Sequence, residues 1–442
     1  MFDRRLLSNF DWVLFLLVLV IALIGVSAIY SASAGYTEAA NYWLRQLYWL
    51  AAGLGVGFFV LLVDFRSIGR WAYPLHAVAI LSLVLVMFYG TGSDSAQVNR
   101  WFMVGSVAVQ PSEFVKFTTV LAIAYYFRDS RRIGSVGWRV LLLPVAMVAL
   151  PFALIVQQPD LGTAIMLVLI FVPMVVLAGL RTRIMLVMAG GGLVAIGLLI
   201  VAFRFGVYQL DEQAVLTARR SGADPAAVQL VSAARGERFY LQTALHARLT
   251  EILDKPSEAP LVEAIEGNAF KPYISYLLRP YQQKRLVTFI NPDRDPLGAG
   301  YHVIQSKVAI GSGRFLGKGF LGSTQGSLNF LPARHTDFLF SIFAEEWGFL
   351  GAFTLLLLYT LLIVRGMTIV LQTQDRFGAF LALGIVSILI MQVLTNVAMA
   401  VGLLPVVGVP LPLFSYGGSS MVSVMLGVAL ILNIRMRRFL WV

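Results

Sequence analysis

The residues of this 442-residue chain that are equipped for chemistry gather between positions 281 and 337. The run YQQKRLVTFINPDRDPLGAGYHVIQSKVAIGSGRFLGKGF opens at Tyr281, and the stretch closes on LPARHTD, so acids, cations and glycines share one polar segment. Asp293 and Asp295 stand two residues apart. A carboxylate placed here serves either as a general base toward a bound hydroxyl or as the first residue of a turn, which Asp-Pro sequences commonly begin; Asp293 reads as a turn residue. Pro296 fixes the next torsion, and Gly298 and Gly300 allow a tight path that carries an acid over a bound molecule. Lys307, Arg314 and Lys318 are either phosphate-binding cations or solvated loop charges. The segment does chemistry at a membrane surface or recognises a polar partner there, and the elements around it must decide which.

Those elements are membrane spans. Hydrophobic residues make up 58% of the chain and charged residues 13%, too apolar for a soluble globular protein and in keeping with a polytopic membrane protein. Apolar runs of roughly 17 to 25 residues, long enough to cross a bilayer, fall near 12–31, 45–63, 72–90, 112–127, 140–157, 162–180, 184–203, 338–364, 379–401 and 419–434. The expected fold is all-α with ten transmembrane helices. The first run is longer than a signal-peptide core and lacks a small-residue cleavage site, so it reads as a retained span. Arg4 and Arg5, Arg66 and Arg70, Arg128 to Arg139, Arg181 and Arg183, Arg365 and Arg376, and Arg435 to Arg438 then share one side, which the positive-inside rule makes cytoplasmic together with both termini. A net charge of +11 is thereby explained as topology signals rather than as a nucleic-acid surface. With no cysteine, a disulfide framework, a thiolate metal site and a cysteine nucleophile are excluded.

This orientation divides the chain into residues 1–203 with helices 1 to 7, an extracytoplasmic loop over 204–337, and residues 338–442 with helices 8 to 10. Within the loop, 209–270 is rich in Ala, Glu, Arg and Gln and predicts one or two short amphipathic helices. Residues 281–337 show no clear period and predict irregular backbone held by packing, which near membrane depth requires protein or a wet cavity to satisfy its amides.

Other polar residues land on the same outer face. Glu113 and Lys116 are three apart and share a helix face; they either lock helix 4 as an ion pair or lend Lys116 to a phosphate. Arg45 either binds an anion or snorkels to headgroups. Trp101 is an interfacial anchor or a groove wall, and Asp160 predicts a cap for helix 6. His335 and Asp337, with Arg334, mark the entry to helix 8, and Glu345 and Glu346 follow about two turns down. The Pro-rich stretch 402–418 is expected to close over a cavity next to Ser415, Tyr416 and Gly417. Gly53, Gly57 and the run AGGG at 189–192 predict helix packing. Four histidines with no zinc-type spacing give no metal signature. A divalent cation assisting a phosphate is compatible with the sequence but not written in it.

The motifs DPLGAGYHVIQSKVAIGSG (295–313), LPARHTDF (331–338), AEEWG (344–348), QPSE (110–113), QQPDLGTA (157–164) and LPVVGVPLPLFSYGGSS (404–420) together resemble the shape, elongation, division and sporulation family, and its elongation branch more than its division branch. The resemblance implies a peptidoglycan glycosyltransferase of the bacterial cytoplasmic membrane. It would polymerise lipid II at the outer surface within the elongation machinery, beside a class B penicillin-binding protein that cross-links the product. It also implies that Asp295 is the catalytic acid, since inverting transfer needs one base for the acceptor hydroxyl and something to neutralise the departing diphosphate. Arg45, Trp101, Glu113, Lys116, Asp160, Lys307, Lys318, His335 and Ser415 are then the candidates for binding an amphipathic substrate drawn from membrane lipid. The insertion at 209–270 is the main departure from the family pattern. A lipid II flippase and a non-enzymatic scaffold are the competing classes. A flippase should thread polar groups to both faces, whereas the motifs here cluster on one.

Overall fold

The structure, a computed structural model, describes residues 8–33, 41–92, 99–105, 107–128, 137–158, 160–179, 181, 208–209, 225–233, 238–239, 251, 285, 289, 299–327 and 335–438. The chain divides into two compact units, one of Met1–Thr182 with Val287–Val442 and one of Arg183–Leu286. In the second, the described residues are few: α8 (Pro225–Ala233) and a two-residue antiparallel ladder of β3 (Tyr208–Gln209) with β4 (Arg238–Phe239). Of the amphipathic helices expected in 209–270, one short helix therefore lies among the described residues.

The first unit is a helical bundle: α1 (Trp12–Ser33), α2 (Tyr42–Leu62), the short α3 (Phe65–Arg70), α4 (Ala72–Tyr89), α5 (Pro111–Phe127), α6 (Trp138–Gln157), α7 (Leu161–Leu177), α9 (Ala299–Ser312), the single turn α10 (Thr324–Ser327), α11 (Leu339–Gln372), α12 (Arg376–Ala400) and α13 (Gly418–Arg437). Among the described residues seven helices are long and apolar enough to cross a membrane: α1, α2, α4, α6, α11, α12 and α13. The expected spans at 112–127 and 162–180 appear as the 17-residue helices α5 and α7, and the one at 184–203 lies outside the described residues. The protein is thus an all-α polytopic membrane protein.

Burial separates the centre from the periphery. In α12 and α13, 78% of the spanning window is buried, against 22–28% in α2, α4, α6 and α11, so the last two helices form the core and the others turn apolar faces to lipid. The α12 helix packs on α5, α7 and α11, and α13 lies along α2. Gly53 and Gly57 permit that last contact: a Cβ on Gly53 would come within 2.9 Å of the Met425 side chain. The expected packing role of these two glycines is what the bundle shows, while AGGG at 189–192 lies outside the described residues.

Two local features depart from expectation. Residues 281–337 are not irregular throughout, since 299–312 forms the 14-residue helix α9. Its buried positions are Val303, Ser306 and Ala309, a helical stripe interrupted by a serine. Ser306 is buried because it bonds the Ser341 hydroxyl at 2.7 Å and donates to the Ala400 carbonyl at 2.6 Å. A polar residue in the apolar stripe hid the period. Second, the loop expected over 91–111 holds a hairpin of β1 (Phe102–Val104) with β2 (Val107–Val109).

The α11 helix would run about 50 Å if straight, but Gly348 interrupts it at φ 62°, ψ −163°. The freed backbone groups bond to the glycine-rich segment after α9. Lys318 and Gly319 donate their amides to the carbonyls of Glu345 and Glu346 at 3.0 and 2.9 Å, and Phe349 and Leu350 donate to those of Arg314 and Phe315 at 2.9 and 3.1 Å. A Cβ on Gly348 would collide with the amide nitrogen of Gly317, and its torsions belong to a region essentially reserved for glycine. Gly348→Ala is expected to lose about 1–3 kcal/mol, read as a lower thermal midpoint of the detergent-solubilised protein, whereas Gly55→Ala, with open space at its Cβ, leaves it unchanged.

Candidate functional site

Polar side chains from distant parts of the sequence meet at one end of the bundle, where α1, α4, α6 and α12 finish and α2, α5, α7, α11 and α13 begin. Three groups stand there.

The first surrounds His335. Tyr42, the first residue of α2, lays its ring 4.7 Å from His335 and 4.8 Å from Tyr416 between centroids, and the Tyr416 amide donates to the His335 carbonyl at 2.9 Å. The Arg45 guanidinium lies 5.9 Å from the Tyr42 ring centre and hydrogen-bonds Tyr416. Burial pushes the Tyr416 phenol up from its ordinary value, and Arg45 offsets this only in part. The hydroxyl is therefore a neutral donor at physiological pH. Gln46 holds the loop in place, donating to the Ser415 carbonyl at 3.1 Å and accepting from the Gly417 amide at 3.3 Å. Ser415 is buried, and its hydroxyl accepts from the Leu411 amide at 3.1 Å. A guanidinium beside aromatic rings suits a phosphorylated ligand, because the planar cation pairs with phosphate oxygens and the rings offer flat apolar faces.

The second group joins the N-termini of α5, α7 and α13. The Gln110 amide N–H donates to Ser419 Oγ at 3.0 Å, and its side chain donates to Asp160 Oδ2 at 3.3 Å. Asp160 caps α7 as expected, its carboxylate accepting from the Thr163 amide at 3.2 Å. Trp101 accepts the Thr91 amide at 2.8 Å beside the hairpin and is half-buried. Just inside the bundle, Lys116 Nζ sits 2.8 Å from Glu113 Oε1, both residues at most 4% exposed, and Ser423 donates to the other Glu113 oxygen at 3.4 Å.

Glu345 organises the third. Its carboxylate accepts from Lys318 Nζ and Ser323 Oγ at 2.6 Å, from the Thr324 hydroxyl and amide at 2.7 and 3.1 Å, and from the Gln325 amide and Ser312 hydroxyl at 3.3 Å. Glu345 is wholly buried, and it ties Lys318 to the broken part of α11. Next to it, Glu346 accepts from Ser31 of α1. Lys307 is exposed on α9, its side-chain end over Gly402.

Asp295, Asp293, Pro296, Gly298 and Arg334 lie outside the described residues; the chain resumes at Ala299, the start of α9. Sequence reading missed Tyr42, Gln46 and the hub role of Glu345. The signal for Gln46 was present, an amide in an otherwise apolar span. Glu345 gave none, because its partners lie 20 to 33 residues away. Among the described residues no three metal-ligating side chains cluster.

Burial decides how the Glu113–Lys116 pair should behave. Lys116→Met or Glu113→Gln alone leaves a buried charge without its partner, a loss of about 3–5 kcal/mol. Each single variant is expected to unfold at lower temperature, and the double variant Glu113→Gln/Lys116→Met to recover most of the difference in the same thermal scan.

A family model described as cell cycle protein, covering FtsW, RodA and SpoVE, matches residues 11–234 and 261–439. The unmatched stretch, 235–260, lies inside the insertion expected over 209–270. The peptidoglycan glycosyltransferase MrdB of Escherichia coli (strain K12) is 33% identical over 88% of this chain and 84% of its own length. The peptidoglycan glycosyltransferase RodA of Treponema pallidum (strain Nichols) is 31% identical over 98% of this chain and 99% of its own. A solved peptidoglycan synthase complex, described as coordinating polymerization and crosslinking, contains a chain 30% identical to this one. It superposes with a TM-score of 0.68, covering 97% of this chain and 98% of that one. With the match spanning nearly all its helices, the chain belongs to the family of FtsW, RodA and SpoVE, the shape, elongation, division and sporulation family that its motifs resemble.

Proposed function

We propose that this protein is a peptidoglycan glycosyltransferase of the cytoplasmic membrane that polymerises lipid II for cell elongation and rod shape. The observation that carries the reading is the convergence of separated motifs on one end of the bundle. Gln110 of QPSE bonds both Asp160 of QQPDLGTA and Ser419 of the 404–420 motif, and His335 of LPARHTDF bonds Tyr416 of that same motif. Four motifs spread over some 300 residues of sequence thus meet at one surface, as a single amphipathic substrate requires.

In the proposed mechanism Asp295 accepts the proton of the acceptor hydroxyl as its oxygen attacks the anomeric carbon of the donor. The bond from that carbon to the diphosphate breaks with inversion, and the lipid diphosphate leaves with the electron pair. Arg45 and the Tyr416 hydroxyl are the donors positioned to stabilise the developing negative charge. Tyr42 and His335 offer ring faces to sugar. Trp101, Asp160 and Ser415 shape the surrounding loops, while Lys318 holds the glycine-rich segment through Glu345. Lys307 remains a candidate for phosphate from its exposed place on α9. Residues 204–337 form the extracytoplasmic loop, of which 281–337 is the catalytic part. By analogy with the solved complex, a cross-linking transpeptidase of the class B penicillin-binding type works beside this chain.

The test is polymerisation of lipid II by the purified protein with its partner, scored by gel. Asp295→Asn is expected to lower the rate about 100-fold or more with unchanged thermal stability, and parent-like polymer from that variant would remove the base assignment. The stability-restoring pair Glu113→Gln/Lys116→Met adds a second readout. Near-parent polymerisation makes Lys116 a lock for α5, and lost polymerisation in a stable protein assigns it to the diphosphate.

A further inference from the structure

At the opposite end of the bundle from the motif residues, a groove of about 300 Å³ opens between the start of α1 and the last halves of α2 and α13. Its wall is apolar: Phe10, Trp12 and Phe15 form one side, and Leu61, Leu432 and Met436 are among the residues of the other. Its floor exists because Gly57 and Ala429 are small where α2 meets α13; a Cβ on Gly57 would already be 3.4 Å from that of Ala429. The mouth is aromatic, with the Phe10 and Trp12 rings 4.7 Å apart edge to face. Trp12 and Phe58 remain 59% and 54% exposed, so the groove is open along the side that faces the membrane.

Its end carries charge. Arg435 and Arg437 flank the wall residue Met436, and Arg365 of α11 reaches the same place, its Nε donating to both carboxylate oxygens of Asp11 at 3.1 and 2.9 Å. Arg435 Nε stands 3.8 Å from Asp11. Asp11 is thus shared by two guanidiniums. Arg437 has neutral acceptors instead: Asn433 Oδ1 at 3.0 Å and the carbonyls of Leu61 and Leu62 at 3.1 and 3.3 Å. Leu61 is itself a groove residue, so this cation sits at the groove's rim and carries no counter-charge among those bonds.

An apolar channel on the lipid side of a membrane protein, ending at a guanidinium whose bonds among the described residues are all to neutral acceptors, matches a molecule with an acyl chain and an anionic head. We infer that this groove binds an anionic phospholipid, one acyl chain lying between α1, α2 and α13 and the phosphate reaching Arg437. The Arg437 bonds to the end of α2 would then couple lipid occupancy to the contact of α2 with α13, whose other ends bear Arg45 and Tyr416.

Trp12 provides the probe. The full-length protein is reconstituted in vesicles of phosphatidylcholine brominated on its acyl chains, and unbrominated phosphatidylglycerol is titrated in. Trp12 fluorescence is isolated as the difference between the parent and Trp12→Phe. In the parent, quenching of Trp12 is expected to be relieved at a phosphatidylglycerol fraction about fivefold below that required by bulk replacement. Arg437→Gln moves relief to the bulk fraction, and Arg437→Lys, which keeps the charge but not the fork of donors, leaves it near the parent value. Relief that follows bulk composition in the parent overturns the proposal, as does early relief retained in Arg437→Gln. Absence of quenching in pure brominated lipid would mean that a second copy or a partner helix fills the groove, and that too overturns it.

Discussion

The exchange of backbone hydrogen bonds at Gly348 is the constraint on which the outer half of the molecule depends. Inside a membrane protein a broken helix leaves amides and carbonyls that lipid cannot satisfy, so such a break survives only where other backbone or polar groups complete it. Here four bonds run between residues 314–319 and 345–350, and the buried carboxylate of Glu345 collects the hydroxyls, amides and ammonium that follow on the same segment. Each side needs the other. Phe315, Leu316, Phe320 and Leu321 of the glycine-rich segment are largely exposed, so burial does little to hold it, and the groups freed in α11 at Gly348 are completed by this segment. The result is a loop fixed by directional bonds rather than by burial, suited to carrying catalytic residues on a rigid support.

That support extends to α9. Ser306 bonds both Ser341 and the last carbonyl of α12, so the helix following Asp295 is fastened at its middle to α11 and α12 and at its end to the Gly348 break. The aromatic group is anchored differently: Gln46 reaches from α2 to the 401–417 loop, and Tyr359, deep in α11, donates to the Pro412 carbonyl at 2.6 Å. Polar groups placed in apolar helices thus act as pins for the loops above them. Their energetic weight comes from the low dielectric around them, where an unmade bond is costly.

The spans were legible because the bilayer imposes their length. The expected boundaries 72–90 and 419–434 fall close to Ala72–Tyr89 and Gly418–Arg437, as hydropathy marks where a helix leaves hydrocarbon. The Asp160 cap was legible for a local reason, since donor and acceptor are three residues apart. The α9 helix was not, because its buried stripe includes Ser306, whose burial depends on partners 35 and 94 residues away. Glu345 was illegible in the same way: within its own helix it looks like an acid in a span, and only the folded loop reveals that it is a receptor for six donors. What the sequence hides is polarity that is satisfied at long range.

The same consideration sets three carboxylates at this end of the protein apart from the base proposed above. Glu113 is committed to Lys116 and Ser423, Asp160 to the α7 amide and Gln110, and Glu345 to its loop. Each is buried, and each would leave unsatisfied donors behind if it took up a substrate proton. Asp295 stands four residues before α9, and chain geometry alone keeps its Cα within about 14 Å of that of Ala299. The proposed base is therefore tethered by a short connection to a helix fastened to the bundle core. A general base needs a fixed location and a carboxylate open to an acceptor hydroxyl, and Glu113, Asp160 and Glu345 have each given up the second to provide the first.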